Sequence, residues 1–180
     1  MFHATFVAPF EAELARYPPK AVWTEQVLSY LDTYMGHIFE RIVEQAYPRL
    51  RGKWRLPMVS EWGRWEGVDR EGKSLEVDIA SIASDGNMLT GAIKWNRRPV
   101  TIEIHRKHLR MLERLAAAGV KWAHAAVKPG APLLYVMAGG FAPGFEAAAR
   151  ASGHPVVLWT LRDLYASGPR RPSKAKAERR

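Results

Sequence analysis

Two acidic residues and a lysine fall on neighbouring predicted strands, and a third acid lies on a preceding helical segment. Glu76 and Asp78 alternate in LEVDIA, Lys94 follows in GAIKW, and Glu40 belongs to the earlier helix. Carboxylates at one sheet edge can hold Mg²⁺ or Mn²⁺, which activates water against a phosphodiester, while a lysine stabilises the transition state. This chemistry would use Asp78, Lys94 and Glu40 as catalytic residues and Asp78 and Glu76 as metal ligands.

The same residues also have a purely structural interpretation. A cross-strand pair between Glu76 and Lys94 on an exposed hairpin would contribute at most about 1 kcal/mol. Glu40 lies at the border of the apolar stripe of its helix, where it can be an ordinary surface glutamate. On spacing alone, the structural interpretation is favoured.

The loop between the two strands determines which side chains face each other. A three-residue loop at positions 84–86 pairs Asp78 with Ala92 and Glu76 with Lys94, whereas a two-residue turn would place a charged residue opposite an apolar one. We therefore predict the three-residue loop, because it groups charges with charges. It also collects apolar residues on one face: Leu75, Val77, Ile79, Leu89, Gly91, Ile93 and Trp95.

Hydrophobic periodicity predicts the elements that position these residues. Apolar residues three and four apart predict one helix over Thr24–Leu50, with Thr24 as N-cap and Pro48 marking its end. The later predicted elements are strands Met58–Trp65, Leu75–Ala83 and Asn87–Trp95, helix Thr101–Ala118, strand Leu133–Met137, helix Phe145–Ala151 and strand Val156–Trp159. The final strand, helix and strand imply a parallel crossover. This order predicts the α/β fold class, with a mixed-sheet α/β/α sandwich.

The ordered motifs resemble the C-terminal domain of prokaryotic AAA-type ATPases, which has a restriction-endonuclease-like, PD-(D/E)XK fold. The resemblance extends over most of the chain from Phe6 to about Tyr165. The matching residues are Tyr34, Gly36, Phe39 and Glu40 on the helix, Glu76 and Asp78 on one strand, and Lys94 and Trp95 on the next. The resemblance implies a nuclease-like fold with a magnesium site. It favours the catalytic interpretation more than spacing alone does.

The chain departs from the family pattern at Ala92, where the Glu-x-Lys motif expects an acid. One metal-ligating carboxylate is therefore missing, and a magnesium ion held by Asp78 would keep more waters and bind more weakly. Glu76 is the nearest acid that could compensate, with Glu40 and Glu103 behind it. We predict a nuclease-like, nucleic-acid-binding domain with a degenerate site, and favour loss of cleavage over a retained magnesium-dependent endonuclease activity.

Basic residues predict a polyanionic partner such as nucleic acid. The chain has 27 Lys and Arg against 18 Asp and Glu, a net charge of +9. Residues 168–180 carry six basic residues and one acid, a net charge of +5 that leaves +4 for the rest, and should form a disordered tail. Whether this tail clamps phosphates or only solubilises is open. The candidate nucleic-acid-binding residues beside Lys94 are Arg97, Arg98, Arg106 and Lys107, with a solvated helix flank as the alternative.

Two further residue sets have competing interpretations. His105 and His108 have a spacing that a metal could use, but His108 falls on the apolar side of its helix and is predicted to be a core histidine. Trp54, Trp62 and Trp65 could stack on bases, although tryptophans this close to strands more often pack in the core.

Composition excludes several other classes of protein. The chain has no cysteine, which excludes disulfide scaffolds, thiolate metal sites and cysteine nucleophiles and fits a cytoplasmic location. The N-terminus is not a signal peptide, and no segment is apolar enough for us to expect a membrane partner or span. No GxxxxGK[ST] loop is present, so the chain is not itself an ATPase.

The resemblance and the missing ATPase motif together suggest partners. We expect an ATPase partner or a homo-oligomer, through the surface that would meet the rest of such an ATPase. The alternative function is a catalytically inactive sensor or protein-interaction module associated with an AAA-type ATPase. The predicted organisation is an N-terminal extension at residues 1–23, a nuclease-like domain at 24–167 and the tail at 168–180.

Overall fold

The computed structural model of the protein describes residues 2–165. Its helices are α1 (Phe2–Phe6), α2 (Glu11–Leu14), α3 (Pro19–Val22), α4 (Leu28–Leu50), α5 (Glu103–Ala117), α6 (Ala123–Ala126), α7 (Phe145–Arg150) and α8 (Leu161–Tyr165). Its strands are β1 (Trp65–Val68), β2 (Ser74–Val77), β3 (Ile79–Ile82), β4 (Met88–Lys94), β5 (Leu133–Met137) and β6 (Val156–Trp159). The predicted basic tail at 168–180 lies outside the described residues. None of the helices within residues 2–165 combines the length and the apolarity needed to cross a membrane.

A four-stranded mixed sheet forms the centre of the protein. Its strand order is β3-β4-β5-β6, with β3 antiparallel to β4 and the last three strands mutually parallel. The parallel pairing of β5 and β6 across α7 confirms the predicted crossover. β1 and β2 form a separate antiparallel ribbon.

Helices cover both faces of this sheet. On one face, α4 and α8 contribute Phe39 and Leu164 to the core. On the other face, α5, α6 and α7 contribute Leu112, Ala126 and Phe145. The architecture is therefore the mixed-sheet α/β/α sandwich that the order of elements predicted.

Helical backbone begins at Pro19, before the predicted start at Thr24, and the long helix α4 itself runs from Leu28 through Pro48 to Leu50. Thr24 is not an N-cap, because its hydroxyl donates to the Lys20 carbonyl oxygen at 2.9 Å and a π-helical segment, Trp23–Val27, joins α3 to α4. Pro48 lies inside α4 rather than at its end, and the Arg51 N–H still donates to the Tyr47 carbonyl at 2.9 Å. A proline near a C-terminus removes one hydrogen bond, which the burial of Tyr47 and Leu50 offsets here.

The hairpin has the predicted register. Ile79 lies opposite Gly91 and Ile82 opposite Met88, and the Ala83 N–H donates to the Asn87 carbonyl at 2.8 Å. Gly86 adopts a φ of 82°, which a three-residue loop with a left-handed third residue requires. Continuing this register places Ala92 opposite Asp78. The predicted pair of Glu76 with Lys94 is wrong, because Glu76 pairs with Arg64 and Lys94 pairs with Asp78.

The predicted strand Leu75–Ala83 is wrong in one respect, because it breaks at Asp78. The Asp78 carboxylate turns back on the neighbouring strand and accepts the Ile93 N–H at 2.8 Å, so a side chain interrupts the backbone ladder. The predicted common face is consequently lost. Val77 packs with Leu115 on the α5 side, whereas Ile79 packs on the α4 side.

The predicted strand Met58–Trp65 is also wrong, since only Trp65 belongs to a strand. The segment before Trp65 instead covers the edge of β3 with irregular hydrogen bonds. The Ala80 N–H donates to the Gly63 carbonyl at 2.8 Å, and the Gly63 N–H donates to the Ser81 hydroxyl at 3.0 Å. A Cβ at Gly63 would lie 2.4 Å from the Ala80 oxygen, so this close approach requires glycine.

Candidate functional site

The break after β2 and the end of β4 bring Asp78 and Lys94 together. Lys94 Nζ lies 2.8 Å from Asp78 Oδ2, the same oxygen that accepts the Ile93 N–H. The side chain of Asp78 is only 4% exposed, whereas that of Lys94 is 49% exposed. The lysine therefore neutralises a buried carboxylate from the solvent side.

A second ion-pair cluster joins Glu40 of α4 to Glu76 of β2 through Arg64, which directly precedes β1. Arg64 Nη2 lies 2.9 Å from Glu76 Oε1, and Nη1 lies 3.7 Å from Glu40 Oε2. The same guanidinium also pairs with Glu66 of β1. We term Glu40, Arg64, Glu66 and Glu76 the Arg64 cluster. Arg64 was not predicted as a site residue, because no spacing rule connects the WGRW segment with the acids that it contacts.

The electrostatic environment of Glu40 links it to the other acids of the site. Burial raises the pKa of Glu40, Arg64 lowers it, and the negative charges of Asp78 and Glu76 raise it further, so that the net shift is upward. The charges of Glu76 and Asp78 therefore act on Glu40, while Lys94 pairs with Asp78 alone among these acids. The border position of Glu40 on its helix does not keep it from the sheet edge.

Ala92 forms part of the floor of this site. It lies opposite Asp78, is 9% exposed, and packs in the core cluster that contains Leu112. A short recess of about 100 Å³ opens above it, bordered by Asp78, Lys94 and Lys107. The position at which a second metal-binding carboxylate would stand is therefore apolar.

The residues at this site do not fit the magnesium or manganese ion that the sequence led us to expect. Hard divalent cations take several oxygen ligands at once. Asp78 is committed to Lys94 and a backbone N–H, and Glu40 and Glu76 are committed to Arg64. Within residues 2–165, no three His, Asp or Glu side chains are placed to share a metal ion.

A basic groove runs beside the site, between α5 and the strands β2 and β4. Its volume is about 360 Å³. Two acids, Glu76 and Asp78, line it together with five basic residues: Lys73, Lys94, Lys107, Arg110 and Arg114. We call it the basic groove below.

The five basic side chains of this groove differ in how far they are neutralised. Lys94 is paired with Asp78, and Arg114 is paired with Asp69 and, at 3.8 Å, with Glu71. Lys73, Lys107 and Arg110 make no ion pair with any residue that the structure describes. Three positive charges are therefore left to attract an anion.

Only one of the four predicted nucleic-acid-binding residues, Lys107, lines the basic groove. Arg97 pairs with Asp32 of α4 at 3.0 Å, and Arg106 pairs with Glu103 within its own helix at 2.5 Å. Arg98 is exposed in the turn after β4.

The three basic residues that α5 contributes to the groove share a spacing that is visible in the sequence. Lys107, Arg110 and Arg114 are three and four residues apart, which places them on one side of a helix. Lys73 carries no comparable signal, because its position depends on how the turn between β1 and β2 folds. Asp69 shapes that turn by accepting the Glu71 and Lys73 N–H groups, each at 2.9 Å.

Two buried histidines lie beneath the site. His108 Nε2 is 3.1 Å from the Thr90 hydroxyl, and His105 Nδ1 is 2.9 Å from the Tyr135 hydroxyl. Burial lowers the pKa of both, that of His108 to about 3. The prediction of His108 as a core histidine is confirmed, and His105 is buried as well. The tryptophans are also in or against the core, with Trp62 on Tyr47 at 5.0 Å and Trp65 on Trp122 at 5.8 Å between ring centroids.

Comparison with known proteins gives a family. Residues 3–112 match DUF234, described as archaeal and bacterial proteins of unknown function, and the chain belongs to this family. No curated protein matches the sequence.

Solved structures of endonucleases show partial similarity. A repair endonuclease from Pyrococcus abyssi is 14% identical, with a TM-score of 0.41 over 65% of this chain and 46% of that one. EndoMS in its apo form is 14% identical, with a TM-score of 0.40 over 66% of this chain and 45% of the other. The chain thus spans less than half the length of either protein.

Proposed function

We propose that this member of the DUF234 family is a nucleic-acid-binding protein built on a nuclease-like site that has lost its metal centre. One observation carries the proposal: the basic groove presents three unpaired basic side chains directly beside Asp78 and Lys94. Asp78 and Lys94 are kept while Ala92 replaces the expected acid, and the surface next to them is suited to phosphate.

The charges of the groove support binding to a phosphate backbone. Lysine and arginine that contact phosphates release condensed counterions, which drives binding without regard to base sequence. Lys107 and Arg110 are exposed and lie on one side of α5, so consecutive phosphates can contact them together. Lys73 adds a charge from the opposite wall.

The same site argues against cleavage of the bound strand. Metal-dependent hydrolysis needs carboxylates that hold a cation against the scissile phosphate. Ala92 supplies none, and the remaining acids are held by Lys94 and Arg64. The protein therefore binds nucleic acid without cutting it.

Binding and cleavage assays on the full chain test this function. A short fluorescent DNA duplex should bind at about 50 mM salt in the presence of EDTA, and binding should weaken steeply as salt rises. Supercoiled plasmid should stay intact in Mg²⁺ or Mn²⁺. Nicking that Asp78→Asn abolishes would show an active nuclease, and no binding to duplex would refute the groove as a DNA site.

A second candidate function is the sensor or protein-interaction module of an AAA-type ATPase. The observation that favours it is a set of large aromatic side chains exposed on the N-terminal segments: Tyr17, Trp23 and Tyr30. Exposed aromatics are enriched where proteins bind one another. Failure of the wild-type protein to bind duplex at low salt would favour this function.

A further inference from the structure

The Arg64 cluster places one guanidinium among three carboxylates from different elements. Glu40 comes from α4, Glu66 from β1 and Glu76 from β2, and all three are in ion-pair contact with Arg64. A planar guanidinium with five N–H donors can serve several carboxylate oxygens together. Arg64 thereby connects one helix with both strands of the ribbon.

The backbone holds Arg64 in this place. The preceding residue, Gly63, exchanges hydrogen bonds with Ala80 and Ser81 of β3 at 2.8 and 3.0 Å. The following residue, Trp65, starts β1 and packs on Trp122. Because both neighbours are fixed, the side chain of Arg64 leaves the backbone at a defined point beside the acids.

The three carboxylates of the cluster carry negative charges that a cation can balance. Without Arg64, three carboxylates would repel one another, with the charge of Asp78 nearby. The upward shift in the pKa of Glu40, to which burial and these negative charges contribute, reflects the same crowding. A bound cation or a basic side chain would offset the repulsion.

We propose that Arg64 is a built-in counter-ion that takes the place of a divalent cation at this site. It holds Glu40, Glu66 and Glu76 together and keeps Mg²⁺ or Mn²⁺ from binding to them. Removal of Arg64, combined with return of an acid at position 92, would turn the cluster into a cation site. Where it concerns DNA, the proposal rests on the function proposed above, and it implies that binding does not need a metal.

Manganese binding without nucleic acid tests the proposal. Electron paramagnetic resonance or calorimetry would measure Mn²⁺ affinity for the wild type, Arg64→Gln and Arg64→Gln/Ala92→Glu. The affinity should rise roughly tenfold or more from wild type to the double variant, because one repelling charge is lost and one attracting charge is gained. Arg64→Lys keeps the charge and should bind Mn²⁺ no better than the wild type.

A matched control and a stability measurement keep the result clear. Arg41→Gln removes an exposed arginine next to Glu40 in sequence that forms no ion pair with the described residues, and it should leave Mn²⁺ affinity near that of the wild type. Mn²⁺ should raise the Tm of the double variant and not that of the wild type, which also shows that the variant folds. Saturable Mn²⁺ binding by the wild type that Glu76→Gln abolishes would overturn the proposal. The proposal would also be overturned if Arg64→Gln/Ala92→Glu bound Mn²⁺ no better than Arg41→Gln does.

Failure of this proposal is separable from failure of the proposed function, because these measurements contain no nucleic acid. DNA binding by the wild type should not require Mg²⁺, so its affinity in EDTA should equal or exceed that in Mg²⁺, which competes for the phosphates. Duplex binding that requires Mg²⁺ would contradict the counter-ion role while leaving DNA binding itself intact.

Discussion

Asp78 has a structural role as well as a resemblance to a catalytic residue. Its carboxylate is nearly fully buried and accepts both the Ile93 N–H and the Lys94 ammonium on a single oxygen. A buried carboxylate without such partners would be strongly destabilising. The aspartate and lysine that resemble a nuclease pair therefore also hold the junction of β2, β3 and β4 together.

The buried histidine His108 predicts a loss of stability in acid. Its pKa is lowered to about 3 in the folded protein, so below about pH 6.5 the unfolded chain takes up a proton that the folded chain does not. Stability should fall with pH through this range, by about 2 kcal/mol between pH 6.5 and 5 from this residue. Urea unfolding at several pH values would measure the slope.

The control for this prediction is His108→Gln, which keeps a side chain able to reach the Thr90 hydroxyl and cannot titrate. Its unfolding free energy should fall less than that of the wild type between pH 7 and 5. Equal slopes for the two proteins would mean that His108 does not cause the acid sensitivity.

At the scale of elements, the close packing of β4 against β5 depends on Gly91. A Cβ at this position would lie 1.8 Å from the Leu134 carbonyl oxygen, which is rigid backbone in the next strand. Gly91→Ala should therefore cost on the order of 3 kcal/mol or more, because the strands must separate. Thermal and urea unfolding would measure the loss.

Gly36 provides the matched control, since a Cβ there would meet nothing within 4 Å inside α4. Gly36→Ala should stabilise the protein by up to about 1 kcal/mol through helix propensity. If Gly91→Ala is as stable as Gly36→Ala, the close approach of β4 and β5 is incorrect.

Elements whose signals are local could be predicted from the sequence. The bounds of β5 and β6 agree with the prediction, because both are all-apolar runs; β5 is buried along its whole length, and β6 is buried at both ends and half-buried between them. The register of β3 and β4 followed from the three-residue loop that ends at Gly86, although the expected charge pair between Glu76 and Lys94 does not form. Both signals lie within a few residues of the feature that they predict.

Features that depend on distant contacts could not be predicted in this way. The break at Asp78 results from a hydrogen bond to Ile93 across the sheet, and alternation alone suggests a continuous strand. The segment that covers the edge of β3 depends on the close approach of Gly63 to Ala80. Glu40, Glu76 and Asp78 were predicted, whereas Glu66 and Arg64 were missed, because the contacts of Arg64 join segments that are distant in the sequence.

Across the whole molecule, ion pairing decides which basic residues are free to attract an anion, and the net charge alone does not. The chain carries a net charge of +9, yet several of its basic residues are neutralised by acids within the fold. Arg64, Lys94, Arg97, Arg106, Arg114 and Arg150 all form ion pairs. The basic groove is therefore a place where three unpaired basic residues, Lys73, Lys107 and Arg110, are available to a polyanion.

The most direct measurement compares duplex affinity for Lys107→Ala/Arg110→Ala with that for Lys121→Ala/Lys128→Ala, by fluorescence anisotropy. Both double variants remove two exposed positive charges, but only the first pair lies in the basic groove. The groove variant should bind about tenfold more weakly, and its slope of log K against log salt concentration should be shallower by about two. The control variant should stay close to the wild type in both. Equal weakening of both variants would contradict the groove as the nucleic-acid site.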